Sequence, residues 1–146
     1  METEKRLKML QLFYAGVLAD SVRRYSEAGI LGPVTVQKEK EQKMAARGQL
    51  AQLQISTPAE IFRLYSEVFG CISWNIEEGD RMLRARGSSC LLCSIAKKMD
   101  LPKPCNLYCI NPVRAQIEAL EGGYSLNVAS TLWESEKCEF EVSREK

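Results

Sequence analysis

"CISWNIEEGDRMLRARG", residues 71–87, is the stretch where the chain changes its period. Ile72, Trp74 and Ile76 alternate with Ser73 and Asn75. After the turn residues EEGD, Leu83 and Ala85 alternate with Arg84 and Arg86. Successive side chains of a strand point to opposite faces, so this alternation predicts a β-hairpin with one apolar and one wet face. Nothing upstream of it reads that way. Over residues 4–28, Leu7, Leu10, Tyr14, Val17 and Ser21 recur at spacings of three or four. Phe13, Leu18, Val22 and Tyr25 broaden that stripe, as on an amphipathic helix. "GILGP" at 29–33 breaks the pattern, with Gly29 and Gly32 as stops and Pro33 as a restart. A second helix is expected over 35–54, carrying Met44, Ala45, Leu50 and Leu53. Its interior Gly48 costs about 1 kcal/mol relative to alanine, which points to close helix packing or a bend. A third begins at Thr57, an N-cap followed by Pro58 at the first helical position and by Glu60, which completes a capping box. Ile61, Leu64, Tyr65 and Val68 form its expected buried stripe, and Gly70 ends it.

Downstream of the hairpin, helices are expected over 89–99 and 112–121, the latter introduced by Asn111 and Pro112 and closed by "EGGY". A second hairpin follows, with strands near 124–133 and 138–143, where Cys138, Phe140 and Val142 alternate with Glu139 and Glu141. The order of three helices, hairpin, two helices, hairpin predicts an α+β fold. Its four-stranded antiparallel sheet, made of two hairpins, is covered on one face by about five helices. One domain, 1–146, is expected, with a helical segment over 1–70 and a cysteine-bearing α+β segment over 71–146.

Composition narrows the function. The chain has 146 residues, 45% hydrophobic and 27% charged, enough for a single core. Twenty basic against nineteen acidic residues leave a net charge of +1, which makes no electrostatic case for nucleic acid or an anionic membrane. The opening "METEKRLKML" is charged and amphipathic, unlike a signal peptide, and no apolar run approaches the roughly 18–20 residues of a transmembrane helix. A cytoplasmic protein is expected.

Four of the six cysteines lie in "GSSCLLCSIAKKMDLPKPCNLYC", residues 87–109, spaced C-x2-C and C-x3-C with eleven residues between the pairs, and the chain has no histidine. In a reducing compartment clustered thiols are ligands or reactive groups more often than disulfides. Ser88 or Ser89 would cap the fourth helix, placing Cys90 and Cys93 one turn apart near its N-terminus, where the helix dipole favours a thiolate. The stiff return "LPKPC" lets Cys105 and Cys109 face them. Four such thiolates suit tetrahedral zinc or an iron–sulfur cluster, so Cys90, Cys93, Cys105 and Cys109 are the candidate metal ligands. Two other readings stay open: a ligand-facing or redox thiol pair, and cysteine packed as a small hydrophobe. Trp74, Trp133 and Tyr108 are candidates to line a pocket, with core packing the alternative for the tryptophans. Arg81, Arg84 and Arg86 form a short positive stripe that reads as a solvated face, as does the acidic run Glu77, Glu78 and Asp80. Cys138, in phase with Phe140 and Val142, should face the buried side beneath the other cysteines.

The succession of a cysteine-bearing helix, "PKPCNLYCINP" and "TLWESEKCEFEV" resembles the L-2-amino-thiazoline-4-carboxylic acid hydrolase-like family. More broadly, it resembles the 4-vinyl reductase type of small-ligand domain. "YAGVLADSVRRYSEAGI" fits the hydrolase-like group as well. The 4-vinyl reductase pattern C-x-x-G-D-x-x-C-x-F-x-V is matched at Cys138, Phe140 and Val142. Thr131 stands in place of its first cysteine, and Glu134 and Ser135 in place of Gly-Asp. The resemblance implies a helix-covered sheet around a small-molecule or metal-binding pocket. It also implies, as an alternative, ring-opening hydrolysis of a cyclic amidine or thiazoline carboxylate. Lacking histidine, such a hydrolase needs a cysteine nucleophile, for which Cys90 is the candidate, a carboxylate base, or metal-activated water. A small-molecule ligand is the expected partner; a homodimer and a structural or interaction role stay open.

Overall fold

The computed structural model describes residues 1–144. The alternation in residues 71–87 becomes the first hairpin, β1 (Asn75–Gly79) and β2 (Met82–Gly87), paired antiparallel with Gly79 opposite Met82. Its two-residue turn places Arg81 at φ 62°. Ile72 falls short of β1 and instead bridges the backbone of Cys90, tying the approach to the hairpin to the cysteine helix. The second hairpin is β3 (Tyr124–Ser130) and β4 (Cys138–Arg144), and the hairpins join through β2 and β4 in the order β1-β2-β4-β3. Register sets the two faces. Ala85 lies opposite Phe140 and Leu83 opposite Val142, all four buried; Arg86 lies opposite Glu139 and Arg84 opposite Glu141. The arginines expected on a wet face are there: Arg86 Nε is 2.8 Å from Glu139 and its Nη1 3.2 Å from Glu77.

Helices α1 (Thr3–Glu27), α2 (Leu31–Leu53), α3 (Pro58–Leu64), α4 (Leu91–Lys98) and α5 (Asn111–Ala119) complete the α+β fold. Beneath them, Phe62 is wholly buried, edge-on to Trp74 at 5.3 Å and to Phe140 at 6.3 Å between ring centroids. Burying a side chain of this size contributes about 1.5–3 kcal/mol. Half of the expected capping box forms at α3: Thr57 Oγ1 accepts from the Glu60 N–H at 3.3 Å, while Glu60 Oε1 accepts from the Thr57 hydroxyl at 2.9 Å instead of from its backbone N–H.

Several helical details depart from the expected pattern. The buried stripe of α1 is Ala15, Ala19 and Val22, whereas Leu10, Phe13 and Val17 are each more than 60% exposed. Small residues let α1 approach α4 closely, and that contact rotates the large apolar side chains outward. Helix α2 starts earlier than expected and takes Gly32 and Pro33 into its first turn; it buries Ala46 and Leu50 rather than Ala45 and Leu53. A Cβ on Gly48 would meet nothing within 4 Å, so no close packing explains that glycine. After Leu64 the chain widens into a single π turn, Tyr65–Phe69, before Gly70 ends it at φ 71°. The extra residue per turn rotates the stripe, so Val68 is exposed while Ile61 and Phe62 are buried. A second π turn, Asn106–Ile110, leads into α5.

Candidate functional site

All six cysteines line one apolar cavity of about 50 Å³. They arrive from four places in the fold. Cys71 follows the first π turn, Cys90 and Cys93 open α4, Cys105 and Cys109 flank and enter the second π turn, and Cys138 begins β4. Leu18, Leu92, Ile110 and Phe140 supply much of the apolar wall between them. Cys90, rather than Ser88 or Ser89, is the N-cap of α4: its backbone is extended and its Sγ accepts from the Cys93 N–H at 3.5 Å. Cys138 faces the buried side with Phe140 and Val142, as its phase on the strand requires, and its Sγ accepts from the Leu132 N–H at 3.2 Å.

The geometry answers the metal expectation for Cys90, Cys93, Cys105 and Cys109. Among the described residues no three histidine, cysteine or acidic side chains converge as a metal ion requires. The four thiols do share a site, the wall of one cavity, without forming such a group. Nor are they disulfide-bonded: all six cysteines are free.

Electrostatics agree with an apolar wall. Burial pushes the Cys71 and Cys138 thiols up to about 11 and Cys105 up to about 12. Cys109 is pushed well above its ordinary range, by burial first and then by the neighbouring thiols Cys90, Cys105, Cys138 and Cys71. Cys90 is raised by burial, against the opposing effect of the Cys93 N–H. Cys93 is raised by burial too, opposed by Lys97. Near neutral pH the thiols are therefore protonated, weak hydrogen-bonding groups that behave as small apolar side chains. A protonated Cys90 is a poor nucleophile.

Of the aromatic residues expected at a pocket, Tyr108 lines the cavity and the tryptophans do not. Trp74 lies just before β1 on its inward phase and packs into the core against Phe62 and Phe140. Trp133 lies in the turn after β3, with Lys97 Nζ 5.5 Å from its ring centroid. Strand β3 ends at Ser130, past a register irregularity after Val128, and Trp133 lies outside the sheet.

Sequence reasoning missed the aromatic side of the cavity. Tyr14 stacks on Phe69 with centroids 5.3 Å apart, and Tyr65 lies 5.2 Å from Phe69. Tyr65 and Phe69 are the first and last residues of the first π turn, and Tyr108 is the middle residue of the second. The Tyr108 hydroxyl shares a hydrogen bond with Ser21 of α1. Single π turns are rare and recur at functional sites. The one signal in the sequence was the spacing of Tyr14, Leu18 and Ser21, which share a face of α1.

A second, open groove of about 450 Å³ lies against this aromatic wall. Tyr14, Leu18, Tyr65, Phe69 and Tyr108 line both spaces. The far side of the groove is polar, with Lys38, Gln42, Gln49 and Gln52 from α2 and Gln116 from α5.

No helix among the described residues is long and apolar enough to cross a membrane. No family model and no curated protein matches the chain. Among solved structures it is similar to trafficking protein particle complex subunit 3 from Naegleria fowleri, covalently bound to palmitic acid, at 12% identity and a TM-score of 0.48 over 98% of this chain and 97% of that one.

Proposed function

We propose that this chain is a small-molecule-binding domain of the kind its C-terminal half resembles, the thiazoline-carboxylate hydrolase-like and 4-vinyl reductase-type group, and that it acts in the cytoplasm as a sensor or accessory module. The observation that carries the reading is the convergence of all six cysteines, from four places in the fold, on one apolar cavity. Enclosed apolar space takes apolar ligands, because a water there finds no hydrogen-bonding partners. At about 50 Å³ the cavity suits the end of an unbranched chain rather than a ring, since benzene takes a cavity of about 150 Å³. Six free thiols suit a reducing compartment. The hydrolytic alternative draws no support from a Cys90 thiol that burial keeps protonated.

Thermal denaturation with and without dissolved xenon or pentane, probes thin enough for this cavity, tests this reading. A ligand that binds only the folded state raises the melting temperature with concentration, by about 2.7 kcal/mol of stability at one hundred times its Kd. We expect such a rise in the natural chain and its loss in Cys105→Phe, which fills the cavity. Absence of any shift in the natural chain at ligand saturation would exclude the reading.

A further inference from the structure

The apolar cavity accounts for one side of the aromatic wall and leaves the other side unexplained. The groove beyond it has the volume of a small-molecule site, about 450 Å³. The two spaces are separated by single aromatic side chains: Tyr14, Tyr65, Phe69 and Tyr108 touch both. A molecule with its tail in the cavity and its other end in the groove would have to pass between these rings.

The groove also indicates what that end is. Gln116 is only 7% exposed, and its Nε2 donates to Gln49 Oε1 at 3.4 Å. The Gln42 Nε2 donates to the Leu107 carbonyl at 3.2 Å. Both amides thus spend a donor on the protein, while Oε1 of each is buried with no hydrogen-bond partner among the described residues. Buried acceptors in native proteins are as a rule satisfied, so two orphans in one groove point to a ligand that donates. The terminal amide torsion of glutamine is broad, so each amide can turn into the groove if the ligand both donates to Oε1 and accepts from the Nε2 that then leaves Leu107 or Gln49, as a primary amide does. Charge narrows the choice further. Among the described residues Lys38 is the one charged side chain lining the groove, and its Nζ lies 3.9 Å from Glu41, so an anionic head would find its cation shared and two acceptors near it. A cationic head would be repelled by Lys38.

We propose that groove and cavity form one bipartite site for a neutral amphiphile, with an apolar tail among the thiols and a primary-amide or similar N–H-donating head at Gln42 and Gln116. The proposal rests on the reading of the cavity as a ligand site and adds the chemistry of the head group. Calorimetric or NMR titration of the natural chain with three molecules of equal unbranched tail, thin enough for a cavity of this size, tests it: pentane, hexanoate and hexanamide. The expected result is that the amide binds about tenfold more tightly than pentane and the carboxylate more weakly than the amide. In the double variant Gln42→Met, Gln116→Met, the amide should lose that advantage while pentane binds as before. If pentane binds and the amide gains nothing, or the carboxylate equals the amide, the head-group assignment is overturned and the cavity reading stands. If none of the three binds, the cavity reading fails and this proposal falls with it. The comparison within the natural chain decides even if the double variant does not fold.

Discussion

A thiol contributes two different things to this site, small apolar volume and a titratable proton, and burial decides that the first prevails. Cys71 and Cys138 are raised to about 11 and Cys105 to about 12, each mainly by desolvation. In the unfolded chain the same thiols titrate near 9. The folded pKa values lie above the unfolded ones, so the neutral thiols contribute stability that is fully present below about pH 9. That stability is lost as pH rises from there through 11 and 12, because only unfolding lets the protons leave. Urea midpoints measured from pH 7 upward should therefore stay level to about pH 8 and then fall, less steeply in Cys105→Ala. A midpoint that holds or climbs through pH 11 would contradict thiols buried in this state. Clustered cysteines suggest a metal from sequence, but among the described residues no group placed to hold one is found. C-x2-C and C-x3-C spacing states which thiols can meet, and nothing in the spacing states whether they point at one atom or around one cavity.

At the scale of elements, legibility divided by how local the cause was. The Thr57 N-cap on the Glu60 N–H forms as read because its atoms lie within one turn, and the hairpins follow from period-two alternation across a few residues. The buried face of α1 was read only in part: Val22 is buried as its place in the stripe implies, but the choice between Leu10, Phe13 and Val17 on one side and Ala15 and Ala19 on the other is made by α4, some seventy residues away. The π turns had no sequence signal at all, yet they position Tyr65, Phe69 and Tyr108. The first is held from outside: the Gln11 Nε2 donates to the carbonyls of both Glu67 and Val68 at 3.2 Å. Gly70, which ends it, sits at φ 71°, and a Cβ there would collide with the Gln11 side chain. Gly48 differs in kind, helical with open space around it. Two alanine substitutions should therefore have opposite signs. Gly70→Ala should cost about 1–2 kcal/mol through left-handed strain and displacement of Gln11. Gly48→Ala should stabilise by about 0.5–1 kcal/mol through helix propensity alone. Chemical denaturation of the two variants measures both, and equal signs would refute the distinction between the two glycines.

Across the whole molecule, stability should be distributed unevenly in a way that the sequence's uniform amphipathic look conceals. The central strands β2 and β4 are each paired on both sides, and their inward residues pack on α3 and α5 around Phe62 and Phe140. Helix α1 has a different situation along its length. From Ala15 onward it buries Ala15, Ala19 and Val22, whereas Thr3 to Leu10 are exposed throughout, Leu10 by 67%. An isolated helical stretch of that length is marginal in water, since most helical stability comes from packing one face. Its amides should thus open without unfolding the rest, while those of β2 and β4 should open only with the global transition. Native-state hydrogen exchange should find the amides of residues 6–12 at least a hundredfold less protected than those of Leu83, Ala85 and Phe140, a gap of about 3 kcal/mol or more. Between these extremes lie the π turns at the cavity wall, and a ligand spanning cavity and groove should raise protection at Tyr65–Phe69 and Asn106–Ile110 while leaving residues 6–12 unchanged. Equal protection of the first helical turns and the central strands would mean that the exposed face of α1 is covered in solution, and it would remove the ranking.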